Sequence, residues 1–297
     1  FDFTVSRSLM DLKGGPLGLA MGTEWRKTSN SLTPQTFTDT GDIIGLGYSA
    51  YDGTQNVYAG YVELSAPVLE QLELSGALRY DKYESGEGKA TPKLGVKWTP
   101  ADWIALRASY AEGFRAPNPA ENGDGGLAAF SNARDPVRCA ISEAECTARS
   151  VAIITRPNSD LKPEESKSYS VGIVLQPTSS TSMTVDAWQI KRTNEIAQGS
   201  TADAIAAGNV LRDTNLLNGI AGTGSILAVN TQYINAASTR VRGIDTDIRQ
   251  TFDIGPGQLE MDLQWSHVLK FERTDADVTV DYAVSYTHLT LPTKRIV

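Results

Sequence analysis

Reactive side chains are scarce in this chain, and their spacing decides which chemistry it can support. There are two histidines, His267 and His288, and two cysteines, Cys139 and Cys146. A hydrolytic triad needs a histidine within reach of a nucleophile and of an orienting carboxylate. His288 falls in a C-terminal stretch of different character, which leaves His267 as the credible general base. It stands on the apolar parity of an alternating segment, where an interfacial side chain is expected rather than a catalyst. Two histidines, with two cysteines outside any CxxC spacing, also fail the arithmetic of a zinc site. Gly45 and Gly47 lack the third glycine and the strand–helix frame of a dinucleotide loop. Asn122 to Gly126 lacks the alternating acidic ligands and closing glutamate of a calcium loop. No catalytic group, metal or cofactor is therefore expected. The cysteines read as a loop disulfide of an oxidising compartment, the alternative being two unpaired thiols.

The elements that hold these residues follow from composition and pattern. The chain has 297 residues, with 27 basic against 35 acidic side chains and a formal charge of -8. That balance argues against a general nucleic-acid binder, which needs a basic face. Hydrophobic residues make up 40% of the chain. They are never gathered into the roughly 18 apolar residues of a spanning helix. Strands of a membrane barrel escape that test, because only alternate residues face lipid. The chain opens at Phe1 without a basic or apolar leader, so an export signal is removed or lies outside it.

A period of two recurs throughout. Leu72, Leu74, Leu78 and Tyr80 alternate with Glu73, Ser75 and Arg79. Leu259, Met261, Leu263 and Trp265 alternate with Glu260, Asp262 and Gln264, and Tyr169, Val171, Ile173 and Leu175 with Ser168, Ser170 and Gly172. Such segments are strands with one greasy and one wet face. Short turn-like links near 11–16, 67–71, 99–102, 176–180 and 254–257 alternate with longer links at 28–56, 84–91, 115–165 and 193–237. In an up-and-down sheet this gathers all short turns at one end, the arrangement of outer-membrane barrels. A soluble β-sandwich also alternates. Links of about fifty residues are unusual in one, and the strands look long, about 10 to 14 residues. The expected fold is all-β, an antiparallel up-and-down transmembrane β-barrel of about ten or eleven strands.

Ordered motifs then point to a family. Val57 to Leu64 followed by Pro67, Leu78 to Tyr83, Thr91 to Trp98, the turn Thr99 to Asp102, and Leu106 to Tyr110 succeed one another. Gly113, Phe114, Arg115, Ala116 and Pro117 form the most specific segment, and the long link ends in Asn158 to Ser166 with Leu161, Lys162, Pro163 and Glu164. With Val241 to Asp245, these resemble the barrel of TonB-dependent outer-membrane receptors over most of residues 16–273.

The resemblance implies a barrel of about 22 strands, incomplete here, around an N-terminal plug. It implies partners in that plug, the TonB complex, outer-membrane lipid and a scarce cargo: a ferric siderophore, haem, cobalamin or an oligosaccharide. The plug, the TonB box and the terminal strand are expected to lie outside this chain. Residues 1–284 read as barrel, and 285–297 as a foreign, read-through tail. A passive porin-like or adhesin barrel, and a secreted carbohydrate-binding sandwich, are the alternatives. Glu63, Arg79, Asp81, Arg107, Asp245 and Asp247 are expected to face the lumen, since charge facing lipid costs roughly 2–4 kcal/mol at mid-depth. The motif residues around Arg115 and Glu164 read as architectural. Ligand contacts are expected on the long link, at Asn118, Asn122, Asp124, Arg134, Asp135 and Arg138.

Overall fold

The computed structural model describes residues 1–38, 47–84, 86, 88–275 and 278–283. Gly45, His288 and the expected foreign tail at 285–297 lie outside these residues. In chain order the elements are β1 (Asp2–Leu12), β2 (Gly15–Leu32), β3 (Tyr48–Leu69), β4 (Leu72–Tyr83), β5 (Gly88–Ala101) and β6 (Ile104–Arg115). Then come α1 (Pro119–Asn122), β7 (Asp124–Ala133), α2 (Pro136–Cys139), β8 (Arg149–Arg156), β9 (Glu164–Thr178) and β10 (Thr181–Gln198). The remainder are α3 (Thr201–Ala206), β11 (Val210–Arg212), β12 (Ile226–Ile254), β13 (Gly257–Asp275) and β14 (Val278–Asp281).

All fourteen strands belong to one sheet. Eleven form an antiparallel meander, β1 to β6 and then β9, β10, β12, β13 and β14, while β7, β8 and β11 belong to the long links. Five tight turns, between β1 and β2, β3 and β4, β5 and β6, β9 and β10, and β12 and β13, stand at one end. Gly255 takes φ of 58° in the last of them, a left-handed conformation that glycine adopts without strain. The long links gather at the other end, as the alternation of link lengths predicts.

Register turns alternation into two unlike faces. One row of directly opposed residues reads Leu19, Leu64, Gly76, Leu94, Tyr110 and Tyr169. Another reads Leu72, Trp98, Leu106, Ile173, Val185, Thr246 and Trp265. These rows are not packed on a second sheet: Leu64 is 43% exposed, Leu94 58%, Trp98 47% and Tyr169 46%. The buried hydrophobic cluster is instead small and lies among the outer links, at Val151, Ile153, Ala204, Ile205, Ile226 and Val229. A sandwich would bury exactly the rows left open here, so that alternative is set aside. The outward face therefore exposes its apolar rows, as a lipid-facing wall would. His267 belongs to it, paired with Ile244 and stacked on Trp265 with ring centroids 5.5 Å apart.

The opposite face is concave and polar. Ser65, Ser75, Gly95, Ser109 and Ser170 form one of its rows, ending at Trp188 over Gly243. A Cβ at Gly243 would stand 2.8 Å from the Trp188 ring, so glycine is what lets the indole lie flat on the wall.

Several strands exceed the expected 10 to 14 residues: β3 has 22 and β12 has 29. Their amphipathic alternation stops where the apolar rows end, but backbone pairing continues beyond, where both faces are wet and side-chain pattern no longer marks a strand. These extensions carry a strap. β7 pairs with Tyr48–Asp52 of β3, β8 pairs with β7, and β8 runs parallel to Ala228–Gln232 of β12. The long link thus spans from one extended strand to the other across the outer end.

Candidate functional site

The inner wall is built from charges that neutralise one another in place. Arg79 reaches Asp81 on its own strand with Nε–Oδ2 at 2.9 Å and Glu24 on β2 with Nη2–Oε2 at 2.7 Å. Arg107 on β6 forks onto Asp186 on β10, at 2.9 and 2.5 Å, although β9 lies between them. The residue beneath that fork is Gly172, where a Cβ would stand 1.9 Å from the Asp186 carboxylate. Asp245 accepts from the Ser266 hydroxyl at 2.6 Å, and Asp247 from the Gln264 amide at 3.1 Å with Arg249 3.4 Å away. Glu63 lines a recess of about 950 Å³ on this face together with Glu24, Arg79 and Lys93. By register Glu63, Arg79, Asp81, Arg107, Asp245 and Asp247 share one face of the sheet.

At the long-link end the two motif segments meet. Arg115, last residue of β6, donates to Glu164, first residue of β9, at 3.0 and 2.7 Å, and to Glu121 at 2.8 and 3.0 Å. Glu164 also accepts from the backbone N–H of Ile196 at 2.9 Å, which adds β10 to the junction. Glu121 closes a capping box on α1, whose N-cap Asn118 accepts from the Glu121 N–H. One guanidinium therefore fixes both ends of the long link, at the point where strand becomes loop. Asn235 holds the adjacent Lys162, accepting from its N–H and donating to its carbonyl, both at 2.8 Å.

Farther out, Cys139 and Cys146 are joined by a disulfide. Their sequence neighbours Arg138 and Glu145 pair across it at 2.6 Å, and Arg138 also donates to the Thr223 carbonyl at 2.8 Å. Asp135 caps α2 and receives both Nη atoms of Arg212, at 2.5 and 3.0 Å. Burial works to raise the Asp135 pKa, but the Arg212 fork and the N–H groups of Val137 and Arg138 hold the carboxyl below its ordinary 3.8. The link 116–163 and the link 199–225 are thereby docked on one another.

The six residues expected to meet ligand divide accordingly. Asn118, Asp135 and Arg138 have their side chains engaged within the loops. Asp124 and Arg134 are exposed and Asn122 is half-buried. Arg212 and Thr223 were not legible from sequence, because their partners lie on a different link, whereas Glu121 carried a local signal in the Asn-x-x-Glu spacing of its capping box, which sequence reading passed over. A recess of about 670 Å³ opens beside α3, lined by Arg156, Ser200, Asp203, Asn209 and Gln232 among others. Among the described residues no group of three or more His, Cys, Asp or Glu side chains could hold a metal ion. No helix among them is long and apolar enough to cross a membrane, which says nothing of strands.

A family model described as TonB dependent receptor-like, beta-barrel, matches residues 1–294. The chain belongs to this family. The probable TonB-dependent siderophore receptor PirA of Acinetobacter baumannii is 26% identical over 167 residues, 54% of this chain and 21% of that relative. The crystal structure of the siderophore receptor PirA from Acinetobacter baumannii superposes with a TM-score of 0.62 at 17% identity, over 92% of this chain and 39% of that one. A mutant of the ferric enterobactin receptor of Pseudomonas aeruginosa, in complex with enterobactin, gives 0.64 at 19% identity, over 90% and 35%. The hemophore receptor HasR of Serratia marcescens, as a double mutant with its hemophore and heme, gives 0.58 at 18%, over 97% and 46%. These likenesses show the fold, and the chain spans less than half of each of these proteins. A passive porin or adhesin barrel finds no support among them.

Two outcomes follow for the receptor carrying this wall. Arg115→Ala leaves Glu164 and Glu121, with side chains 10% and 13% exposed, without their shared cation. Arg115 is itself partly exposed, so the cost is roughly 2 kcal/mol, below that of a fully buried pair. Amide exchange across 116–163 should accelerate roughly thirtyfold, with Arg115→Lys in between; unchanged exchange contradicts the junction. The second outcome concerns pH. Because the folded carboxyl of Asp135 titrates below its unfolded value, its contribution is complete above about pH 4 and is lost as pH falls through the folded value. Proteolysis near 135–146 should rise only below that pH, and Asp135→Asn should remove the dependence. Equal loosening between pH 8 and 5 contradicts it.

Proposed function

We propose that this wall belongs to a receptor that imports a ferric siderophore across the outer membrane of a Gram-negative bacterium. Energy comes from the TonB complex acting on a plug seated against the polar inner face. The observation that carries this reading is the 26% identity to a probable siderophore receptor, which runs over barrel sequence rather than a plug. The geometry supports it physically. A wall with exposed apolar rows outside and paired charges inside suits a hydrated, occupied lumen. The docked outer links offer a surface ordered before ligand arrives, which reduces the ordering cost of capture. On that surface Asn122, Asp124 and Arg134 face the cargo, while Asn118, Asp135 and Arg138 position the loop.

The test is iron accumulation by cells that carry the full-length receptor and make no siderophore of their own. Catecholate and hydroxamate ferric complexes, haem, cobalamin and an oligosaccharide are supplied separately. Uptake of a ferric siderophore that stops when TonB is removed is the expected result. Replacing Asn122, Asp124 and Arg134 together by alanine should raise its half-saturating concentration about tenfold. Uptake of only a non-siderophore cargo, or uptake indifferent to TonB, overturns the proposal.

A further inference from the structure

The disulfide in the long link reaches farther than its own loop. Cys139 ends α2, and Cys146 directly follows a 3-10 turn at Glu143–Glu145. Helical pieces of four and three residues are far too short to persist on their own in water. The sulfur–sulfur bond therefore holds them side by side, and with them the sequence neighbours Arg138 and Glu145. Glu145 accepts from Arg138 Nε at 3.0 Å and Nη2 at 2.6 Å, and from Arg149 Nη2 at the head of β8 at 2.8 Å.

The remaining Arg138 nitrogen crosses to the other link. Nη1 donates to the Thr223 carbonyl at 2.8 Å. Thr223 is 1% exposed, and its hydroxyl closes a turn, donating to the Ile220 carbonyl at 2.6 Å and accepting from the Leu217 N–H at 2.8 Å. That turn presents Leu216 and Ile220, 45% and 46% exposed, on its surface. The links also meet at a second point that lies outside the bridged loop. There Asp135 receives Arg212 Nη2 at 3.0 Å, and Arg212 belongs to β11, which is paired with β12. One contact between the links thus depends on the disulfide, and the other does not.

We propose that Cys139–Cys146 is a thiol-sensitive latch that sets the turn at 217–220 through Arg138. Both cysteines are half-buried, within reach of a low-molecular-weight thiol outside the cell. One reagent thiolate attacks a cysteine sulfur, giving a mixed disulfide and freeing the other cysteine as its thiolate. A second reagent thiolate then attacks the reagent sulfur of the mixed disulfide. The reagent leaves as its own disulfide, and its two protons end on Cys139 and Cys146. With the bond open, α2 frays, Arg138 parts from Glu145 and releases Thr223, and the turn loosens. β11 stays in place, held by Asp135 and by β12. The segment that responds holds no cysteine of its own, since the chain has only these two. This rests on the outer placement of the links and not on the identity of the cargo.

The test is amide exchange of the full-length receptor in detergent, with and without dithiothreitol, while alkylation and mass measurement count the opened thiols. Exchange at 217–223 should accelerate about tenfold on reduction, as the loss of one charge-assisted hydrogen bond predicts. Exchange at 210–212 should stay unchanged, and reoxidation should restore the slow rate. The double variant Cys139→Ser, Cys146→Ser should exchange fast at 217–223 without the thiol and ignore its addition. Arg138→Gln should exchange fast there with the disulfide intact. Heat-modifiable electrophoretic mobility checks that each barrel is folded; should the double variant fail there, reduced wild type and Arg138→Gln carry the test. A folded receptor whose cysteines resist the thiol, complete reduction that leaves 217–223 unchanged, equal acceleration at 210–212, or wild-type exchange in Arg138→Gln overturns the proposal. Siderophore uptake is scored separately, so failure here leaves the import reading standing.

Discussion

Backbone pairing is the constraint on which the rest of this structure depends. In hydrocarbon no water is available to satisfy an N–H or C=O, so each must find its partner on a neighbouring strand. That demand explains the unbroken antiparallel meander and the tight turns confined to one end. Once the backbone is committed to pleated strands, side chains can only alternate. One set must then be acceptable to lipid and the other to water.

The polar side solves its own problem in a specific way. Charges on a concave wall are close to one another and partly shielded, so an unmatched one is costly. Arg79 between Glu24 and Asp81, and Arg107 with Asp186, show the solution: guanidinium forks that reach along or across strands. Gly172 makes the second fork possible by offering no side chain under it. The same device recurs at the end of the wall, where Arg115 joins the start and finish of the longest link. The loops that would meet cargo are thus anchored to the most regular part of the fold, which lets a variable surface ride on a fixed frame.

Much of this was legible in the sequence because a membrane wall is a one-dimensional pattern. The alternation at Leu72 to Tyr80 and Leu259 to Trp265 marked strands, and the spacing of short and long links marked which end was which. Parity alone also put the charges from Glu63 to Asp247 on one face, the face they share in the register. The extensions of β3 and β12 were not legible, since above the hydrocarbon both faces are wet and alternation carries no information. The strap of β7 and β8 was missed for a related reason: its pairing partners are remote and its composition is that of an ordinary loop. Within the candidate site, Asp135 and Arg138 drew attention as polar loop residues. Their partners Arg212 and Thr223 lie on another link, and no local signal connects them. Sequence pattern reports the environment of a residue, but it does not report which distant residue shares that environment.

The central claim is that the two faces of each strand meet different media. Spin labels placed one at a time at residues 72 to 80 of the full receptor in a bilayer measure it directly, through collision with oxygen and with a water-soluble nickel complex. The account predicts a period of two, with oxygen access high at positions 72, 74, 76, 78 and 80 and nickel access high at 73, 75, 77 and 79. Flat profiles, or labels at the even positions shielded from both reagents, would mean that the apolar rows pack against protein, and the account would be wrong.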